Sequence, residues 1–155
     1  MKARATAPLF ATIYIAMSGC SPVPPANVAP RAGTPVATSQ SKTWDVVIQL
    51  FEERSLPIKN MDRASGFIAT DALGVPLTEQ PGVDCGKSMV HIANLPRTAT
   101  YSVFVRGDCA SSTVKASVRW TSQSDDKLKL LLECTTTGEW ESAFEHDVKT
   151  RAEGT

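Results

Sequence analysis

Two stretches in which apolar and polar residues alternate constrain the fold of this chain more than any other feature: 113–121, and 127–134 with Leu131 as the one exception. Because successive side chains of a strand point to opposite faces, this period predicts strands that are buried on one face only. The apolar positions are Val114, Ala116, Val118 and Trp120 in the first stretch and Leu128, Leu130, Leu132 and Cys134 in the second. Polar turns separate these strands from each other and from a third, predicted at 99–106. We therefore expect an antiparallel meander with one face in water.

Further strands are predicted ahead of this meander. Residues 56–61 and 66–71 are short runs with strand composition, joined by the polar turn at 62–65. Residues 87–92 form another such run. The intervening segment, 72–86, is rich in glycine and proline and is predicted to be a loop.

An amphipathic helix is predicted at each end of the strand region. The first covers 43–54, with Thr43 as its N-cap and Pro57 beyond its end. Its apolar residues, at i, i+3, i+4 and i+7, are Trp44, Val47, Ile48 and Phe51. The last helix follows Thr136 and Glu139, which have the spacing of a capping box. Its apolar stripe is Trp140, Phe144 and Val148.

Acidic residues crowd the last helix. They are Glu139, Glu141, Glu145 and Asp147. Because the N-terminal end of a helix carries a partial positive charge, acidic side chains are expected there without any further role.

Each predicted helix has one apolar stripe and each strand one apolar face. The economical fold is α+β, with an antiparallel sheet of about five to six strands and both helices packed on one face. This order of elements, with the Trp44-x-x-Val47 helix and the Gly66-Phe67-Ile68-Ala69-Thr70 segment, resembles the helix-grip domains of component C of the outer-membrane β-barrel assembly machinery. The resemblance implies a single helix-grip-like domain over 42–155 and supplies no catalytic residue.

Cys85, Cys109 and Cys134 fall at the same end of the predicted sheet, so any two of them can meet. In an oxidising compartment we expect one disulfide and one remaining thiol. The resemblance favours the pair Cys85 and Cys134, whereas the geometry of the meander also allows Cys109 to compete. A zinc site completed by His91 or His146 is the alternative, but the sequence lacks C-x-x-C and H-x-x-x-H spacing. We therefore expect no metal.

The first twenty residues have the pattern of a secretory signal. Lys2 and Arg4 precede an uncharged, largely apolar stretch at 5–16, which is too short to span a bilayer as a helix. The following Met17-Ser18-Gly19-Cys20 resembles the lipobox of bacterial lipoproteins. This resemblance implies that residues 1–19 are removed and that Cys20 carries lipid on its thiol and its amine, as in palmitate-bearing lipoproteins. By the same analogy, Ser21 indicates sorting to the outer membrane.

Residues 20–41 are predicted to be the lipidated N-terminus and a disordered tether. The stretch is rich in proline and contains a single charge, Arg31, so it cannot bury enough apolar surface to fold. An extended chain of this length would reach about 60 Å. We expect it to hold the domain clear of the membrane.

Charge and composition exclude several classes of function. The 16 basic and 16 acidic residues balance, which argues against nucleic-acid binding. Without Lys2, Arg4 and Arg31, the domain has 13 basic against 16 acidic residues, and this balance gives no sign of attraction to anionic lipid. We find no catalytic set: His91 and His146 have no neighbouring nucleophile in sequence, and no phosphate-binding glycine loop is present.

The sequence therefore predicts a protein that is anchored to the cell envelope by lipid and is not an enzyme. No catalytic residue and no cofactor are expected. We expect a binding or accessory module in envelope assembly or maintenance, with an envelope protein as partner. The alternative is a module that binds a small apolar ligand or lipid in a cavity between sheet and helix, lined by Phe104, Trp120 and Leu130.

Overall fold

The alternating stretch near residue 114 forms one of two long central strands in an antiparallel sheet. The computed structural model describes residues 31–76, 82–85, 97–123 and 131–154. In these residues the fold is α+β, with eight strands and two helices. The strands are β1 (Thr34–Val36), β2 (Ile58–Asp62), β3 (Phe67–Thr70), β4 (Leu73–Val75), β5 (Val83–Asp84), β6 (Arg97–Gly107), β7 (Ser112–Gln123) and β8 (Leu131–Thr136), and the helices are α1 (Gln40–Glu53) and α2 (Glu139–Gly154).

The strand order in the sheet is β2-β3-β6-β7-β8-β5, and every pairing is antiparallel. β6 and β7 form the central hairpin, with Val105 opposite Val114 and Ala99 opposite Trp120. The edge of β7 that faces away from β6 pairs with two strands: β1 pairs with the first residues of β7, and β8 pairs with the last. In the same way β4 and β3 pair with successive parts of β6.

The predicted fold class is confirmed, but the sheet is larger than expected. The additional strands are β1, β4 and β5, which contain only two or three residues each. A strand of two or three residues shows no measurable alternation in the sequence. It forms because it pairs with a longer neighbouring strand. β4 and β5 lie in the segment predicted as a loop at 72–86, whereas the strand predicted at 87–92 and residues 127–130 lie outside the described residues.

The folded domain also begins earlier than the predicted boundary at residue 42. Thr34 pairs with Val114 and Val36 pairs with Ser112, so the end of the predicted tether is part of the sheet. Val36 is buried in the main core. The composition of 20–41 concealed this strand because proline is compatible with a short edge strand.

Helix α1 begins at Gln40, and its N-cap is Ser39 instead of the predicted Thr43. The Ser39 hydroxyl accepts a hydrogen bond from the backbone N–H of Lys42, as an N-cap should. Thr43 is completely buried, and its hydroxyl lies 2.7 Å from the hydroxyl of Ser112. Thr43 therefore joins the helix to the start of β7.

Helix α2 has the predicted apolar stripe, since Phe144 and Val148 are fully buried and Trp140 is half-buried. The helix begins at Glu139, so Gly138 directly precedes it and the predicted cap at Thr136 is not formed. The Thr136 hydroxyl instead accepts a hydrogen bond from the backbone N–H of Gly138.

Both helices cover the same face of the sheet and form the main core with it. This core includes Trp44, Phe51, Val103, Val114 and Phe144. A second cluster lies toward the end of the sheet where β6 begins and β7 ends, and contains Ala99, Tyr101, Val118, Trp120 and Cys134. The opposite face of the sheet carries no helix of the described chain.

Candidate functional site

An open groove lies over the second core cluster, at the end of the sheet where the helices leave it partly uncovered. Its volume is about 360 Å³. Tyr101 and Trp120 line it from the sheet, Trp140 from α2, and Leu73 and Val75 from β4. Apolar and aromatic lining with a few polar groups is typical of small-molecule sites. We take this groove as the candidate binding site.

The turn after α1 forms one wall of the groove. Ser55 adopts a left-handed conformation, with φ of 53°, and turns the chain back immediately after the helix. The backbone N–H of Leu56 then donates to the carbonyl of Phe51. This turn brings Leu56 against both core clusters and places it in the groove lining.

Packed aromatic rings form one side of the groove. The ring centroid of Trp140 lies 4.6 Å from that of Tyr101 and 4.9 Å from that of Phe144. The Arg54 guanidinium lies 5.0 Å from the Phe144 ring centroid and forms an ion pair with Asp147. The groove thus combines a packed aromatic wall with one positive group at its margin.

Tyr101 supplies a polar group within this aromatic setting. Burial raises the pKa of its phenol, and the negative charge of Glu141 raises it further. The phenol is therefore neutral at physiological pH and can donate a hydrogen bond.

The prediction of a cavity lined by Phe104, Trp120 and Leu130 is wrong. Trp120 faces the helices, but Phe104 lies on the other face of the sheet, where its ring packs 4.8 Å from that of Phe67. The reason is the strand period: Phe104 is one residue from the buried Val103 and Val105. Leu130 lies outside the described residues.

The disulfide joins Cys85 to Cys134, as the resemblance favoured, with Cα atoms 4.2 Å apart. β5 pairs with β8 directly beside this bond, and both cysteines pack against the second core cluster. Cys109 is an exposed free thiol in the turn between β6 and β7. The disulfide therefore fastens the edge strand β5 to the sheet next to the groove.

Two acidic residues of α2 have a role that the sequence analysis missed. Glu141 and Glu145 are 2% and 1% exposed, although both were assigned to the helix dipole. Glu145 accepts hydrogen bonds from the Ala116 N–H at 2.9 Å and the Thr34 hydroxyl at 2.6 Å. Glu141 accepts from the Val118 N–H at 3.2 Å. They share the stripe of Phe144 and Val148, and this spacing was the available signal.

Arg31 and Thr136 complete the environment of these buried carboxylates. The Arg31 guanidinium lies 3.3 Å from Glu145, and the Thr136 hydroxyl donates to Glu141 at 3.0 Å. These contacts connect α2 to β1, β7 and β8. This arrangement is structural.

The remaining predicted residues do not gather into a site. His146 is exposed on α2, while His91 and Cys20 lie outside the described residues. Within the described parts of the chain, no three His, Cys, Asp or Glu residues are grouped so that they could hold a metal ion.

Neither a protein-family model nor a curated protein matches this chain. Across the described ranges, neither helix has the length and apolar character needed to cross a bilayer.

Proposed function

We propose that this protein is a lipid-anchored cell-envelope protein whose domain is a non-catalytic binding or accessory module in envelope assembly or maintenance. The observation that carries the proposal is the Met17-Ser18-Gly19-Cys20 lipobox after an uncharged apolar stretch. Cys20 is the lipidation site, and the anchor faces the periplasm from the outer membrane. Two or three acyl chains together hold a protein on a membrane stably. We assign it no catalytic residue, cofactor, metal or nucleic-acid partner.

Metabolic labelling with a palmitate analogue tests the anchor. The unchanged chain should incorporate label and fractionate with membranes, whereas Cys20→Ser should lose the label. Cys109→Ser is the matched control, because it removes an exposed free cysteine without changing the lipobox. Label retained on Cys20→Ser would refute the assignment.

The partner is an envelope protein, and the groove beside Tyr101, Trp120 and Trp140 is the surface we assign to it. Crosslinking in intact cells, followed by purification from solubilised membranes, should recover an envelope protein that is crosslinked to the groove. Val75→Trp should weaken this crosslink because Val75 lines the groove. Met61→Trp is the control, since Met61 is exposed on β2 and does not line the groove. A crosslink of equal yield in both variants would exclude the groove.

A small apolar ligand is the second candidate occupant, favoured by the aromatic lining and the volume of about 360 Å³. Native mass spectrometry of protein released gently from membranes separates the two possibilities. A co-purified mass that is lost in Val75→Trp and kept in Met61→Trp supports the small ligand. Ligand-free protein in every preparation contradicts it.

A further inference from the structure

The face of the sheet opposite the helices carries a concentration of positive charge. Arg106 on β6 and Lys115 and Arg119 on β7 are exposed there. The strand register places them on this face, because Phe104 pairs with Lys115 and both flank buried positions. We call these three residues, together with Phe67 and Phe104, the basic face.

The basic residues elsewhere are mostly neutralised by ion pairs. Arg31, Arg54, Lys59, Arg63, Lys149 and Arg151 each lie within 4.0 Å of a carboxylate. No such ion pair joins Arg106, Lys115 or Arg119 to another described residue. The acidic residues on the same side are Asp62 on β2, Glu133 on β8 and Asp84 on β5. None of them belongs to β6 or β7, the strands that carry the three basic residues. The near-neutral total charge therefore conceals an uneven distribution.

The basic face is also concave and partly aromatic. A depression of about 470 Å³ is lined by Phe104, Arg106, Lys115 and Ser117, with Gly33 at its margin. The Arg106 guanidinium lies 5.6 Å from the Phe104 ring centroid. Phe67 packs against Phe104 and extends the apolar part of the surface. Positive groups around half-buried aromatic rings suit a headgroup region, where charge and apolar surface occur together.

The start of the described chain lies beside this face. A Cβ built on Gly33 would come within 3.2 Å of the Lys115 Cβ, so the chain enters the domain along the margin of the depression. Because β1 belongs to the sheet, only residues 21–30 separate Cys20 from Arg31. Ten extended residues reach roughly 35 Å at most, about the diameter of a domain of this size. A chain anchored at Cys20 therefore keeps the domain close to the lipid.

We infer that the basic face rests on the surface of the anchoring membrane, with Arg106, Lys115 and Arg119 against anionic phospholipid headgroups. This inference rests on the proposed lipid anchor. Each basic residue held near an anionic surface strengthens association about fivefold, and the attraction is screened within a Debye length. The groove and Trp140 lie on the helix side of the sheet and stay available to a partner.

Thiol reactivity in vesicles tests this orientation. The mature lipidated protein, carrying Cys109→Ser, is reconstituted in phosphatidylcholine vesicles with or without phosphatidylglycerol. Ser117→Cys reports on the basic face and Ser142→Cys on exposed α2. We expect a maleimide reagent of fixed size and no charge to react with Ser117→Cys several-fold more slowly in the anionic vesicles. The rate at Ser142→Cys should be equal in both, and high salt should remove the difference.

Charge variants identify the residues responsible. Arg106→Gln combined with Lys115→Gln should abolish the protection at Ser117→Cys. Arg106→Lys combined with Lys115→Arg keeps the charge and should preserve it. Both pairs change exposed side chains, and circular dichroism verifies that each variant is folded.

The outcomes separate the orientation from the anchor. If the protein does not co-float with neutral vesicles in a density gradient, the lipid anchor is refuted, and the proposed orientation is refuted with it. Protein that floats but reacts equally at Ser117→Cys in both compositions overturns the orientation alone. Protection that appears only when another envelope protein is present would assign the basic face to a protein partner instead.

Discussion

The carboxylate of Glu145 on α2 accepts a hydrogen bond from the backbone N–H of Ala116, at a part of the β7 edge where no strand of the described residues pairs. Glu141, one helical turn earlier, does the same for Val118. β1 pairs with β7 up to Val114, and β8 pairs from Trp120 onward. The two carboxylates thus occupy the gap between these strands and satisfy backbone groups that would otherwise be buried without a partner.

Glu145→Ala should destabilise the domain by about 3 kcal/mol, because it leaves the Ala116 N–H unsatisfied and Arg31 without its carboxylate. The measurement is urea unfolding followed by circular dichroism. Glu139→Ala, on the exposed side of the same helix, should change stability by less than about 0.5 kcal/mol. Equal midpoints for the two variants would show that the buried carboxylate contributes nothing.

Glu141→Gln should lower the pKa of Tyr101, since it removes the charge that adds to the effect of burial. The pKa should remain above the ordinary value, because burial is the larger cause. A chain that begins at residue 20 contains only this tyrosine, so ultraviolet titration of its phenolate reports on Tyr101 directly. An unchanged titration curve would contradict the coupling, and Glu139→Gln is the control.

The same raised pKa predicts how stability responds to alkaline pH. The folded protein holds the phenolic proton more tightly than the unfolded chain does. This contribution to stability is fully present below about pH 10 and is lost as the pH rises through the folded pKa. In Glu141→Gln, the loss of stability at alkaline pH should begin at the same pH as in the unchanged protein but be smaller. Unfolding curves at several alkaline pH values can measure this difference.

Cys85→Ser should lower stability by about 4 kcal/mol, because the disulfide closes a segment with a sequence separation of 49 and restricts the unfolded chain. Cys109→Ser should leave stability nearly unchanged, since this thiol is free and exposed. Peptide mapping without reduction checks the pairing independently. A peptide that links Cys109 to either of the other two cysteines would contradict it.

Gly66→Ala should destabilise the turn before β3 by about 2 kcal/mol or more. Gly66 has a φ of 70°, and a Cβ there would lie 1.9 Å from the carbonyl oxygen of Val105. The Val105 N–H also donates to the Gly66 carbonyl, so the two backbones cannot separate without losing a hydrogen bond. Gly74→Ala should be tolerated, because its Cβ meets open space. Similar thermal midpoints for the two variants would contradict this account.

The long strands and the apolar helix faces could be predicted because each repeats its own period over several residues. β7 and the stripe from Phe144 to Val148 were found in this way. β1 could not be, since three residues give no period and its strand exists through pairing with β7. Glu141 and Glu145 were misassigned because acidic residues early in a helix have an ordinary electrostatic explanation that requires no tertiary contact.

The groove depended on information that no local pattern contains. Tyr101, Trp120 and Trp140 come from three separate elements, and the turn at Ser55 decides which surface remains uncovered. Basic residues on the outer sheet face were visible in the sequence. That none of these three forms an ion pair with another described residue is a property of the folded arrangement. Total charge therefore predicted the surface poorly.

The attachment of β1 has a mechanical consequence. Any pull on the chain ahead of Arg31 acts first on the three paired residues of β1 and on the bonds that Arg31 and Thr34 make to Glu145. Because α2 holds that carboxylate, the load passes directly from the entering chain to the last helix, while the disulfide between Cys85 and Cys134 fastens a different edge of the sheet. Under tension, the first strand should detach before the central hairpin yields, which gives the domain a short extensible link at its point of attachment.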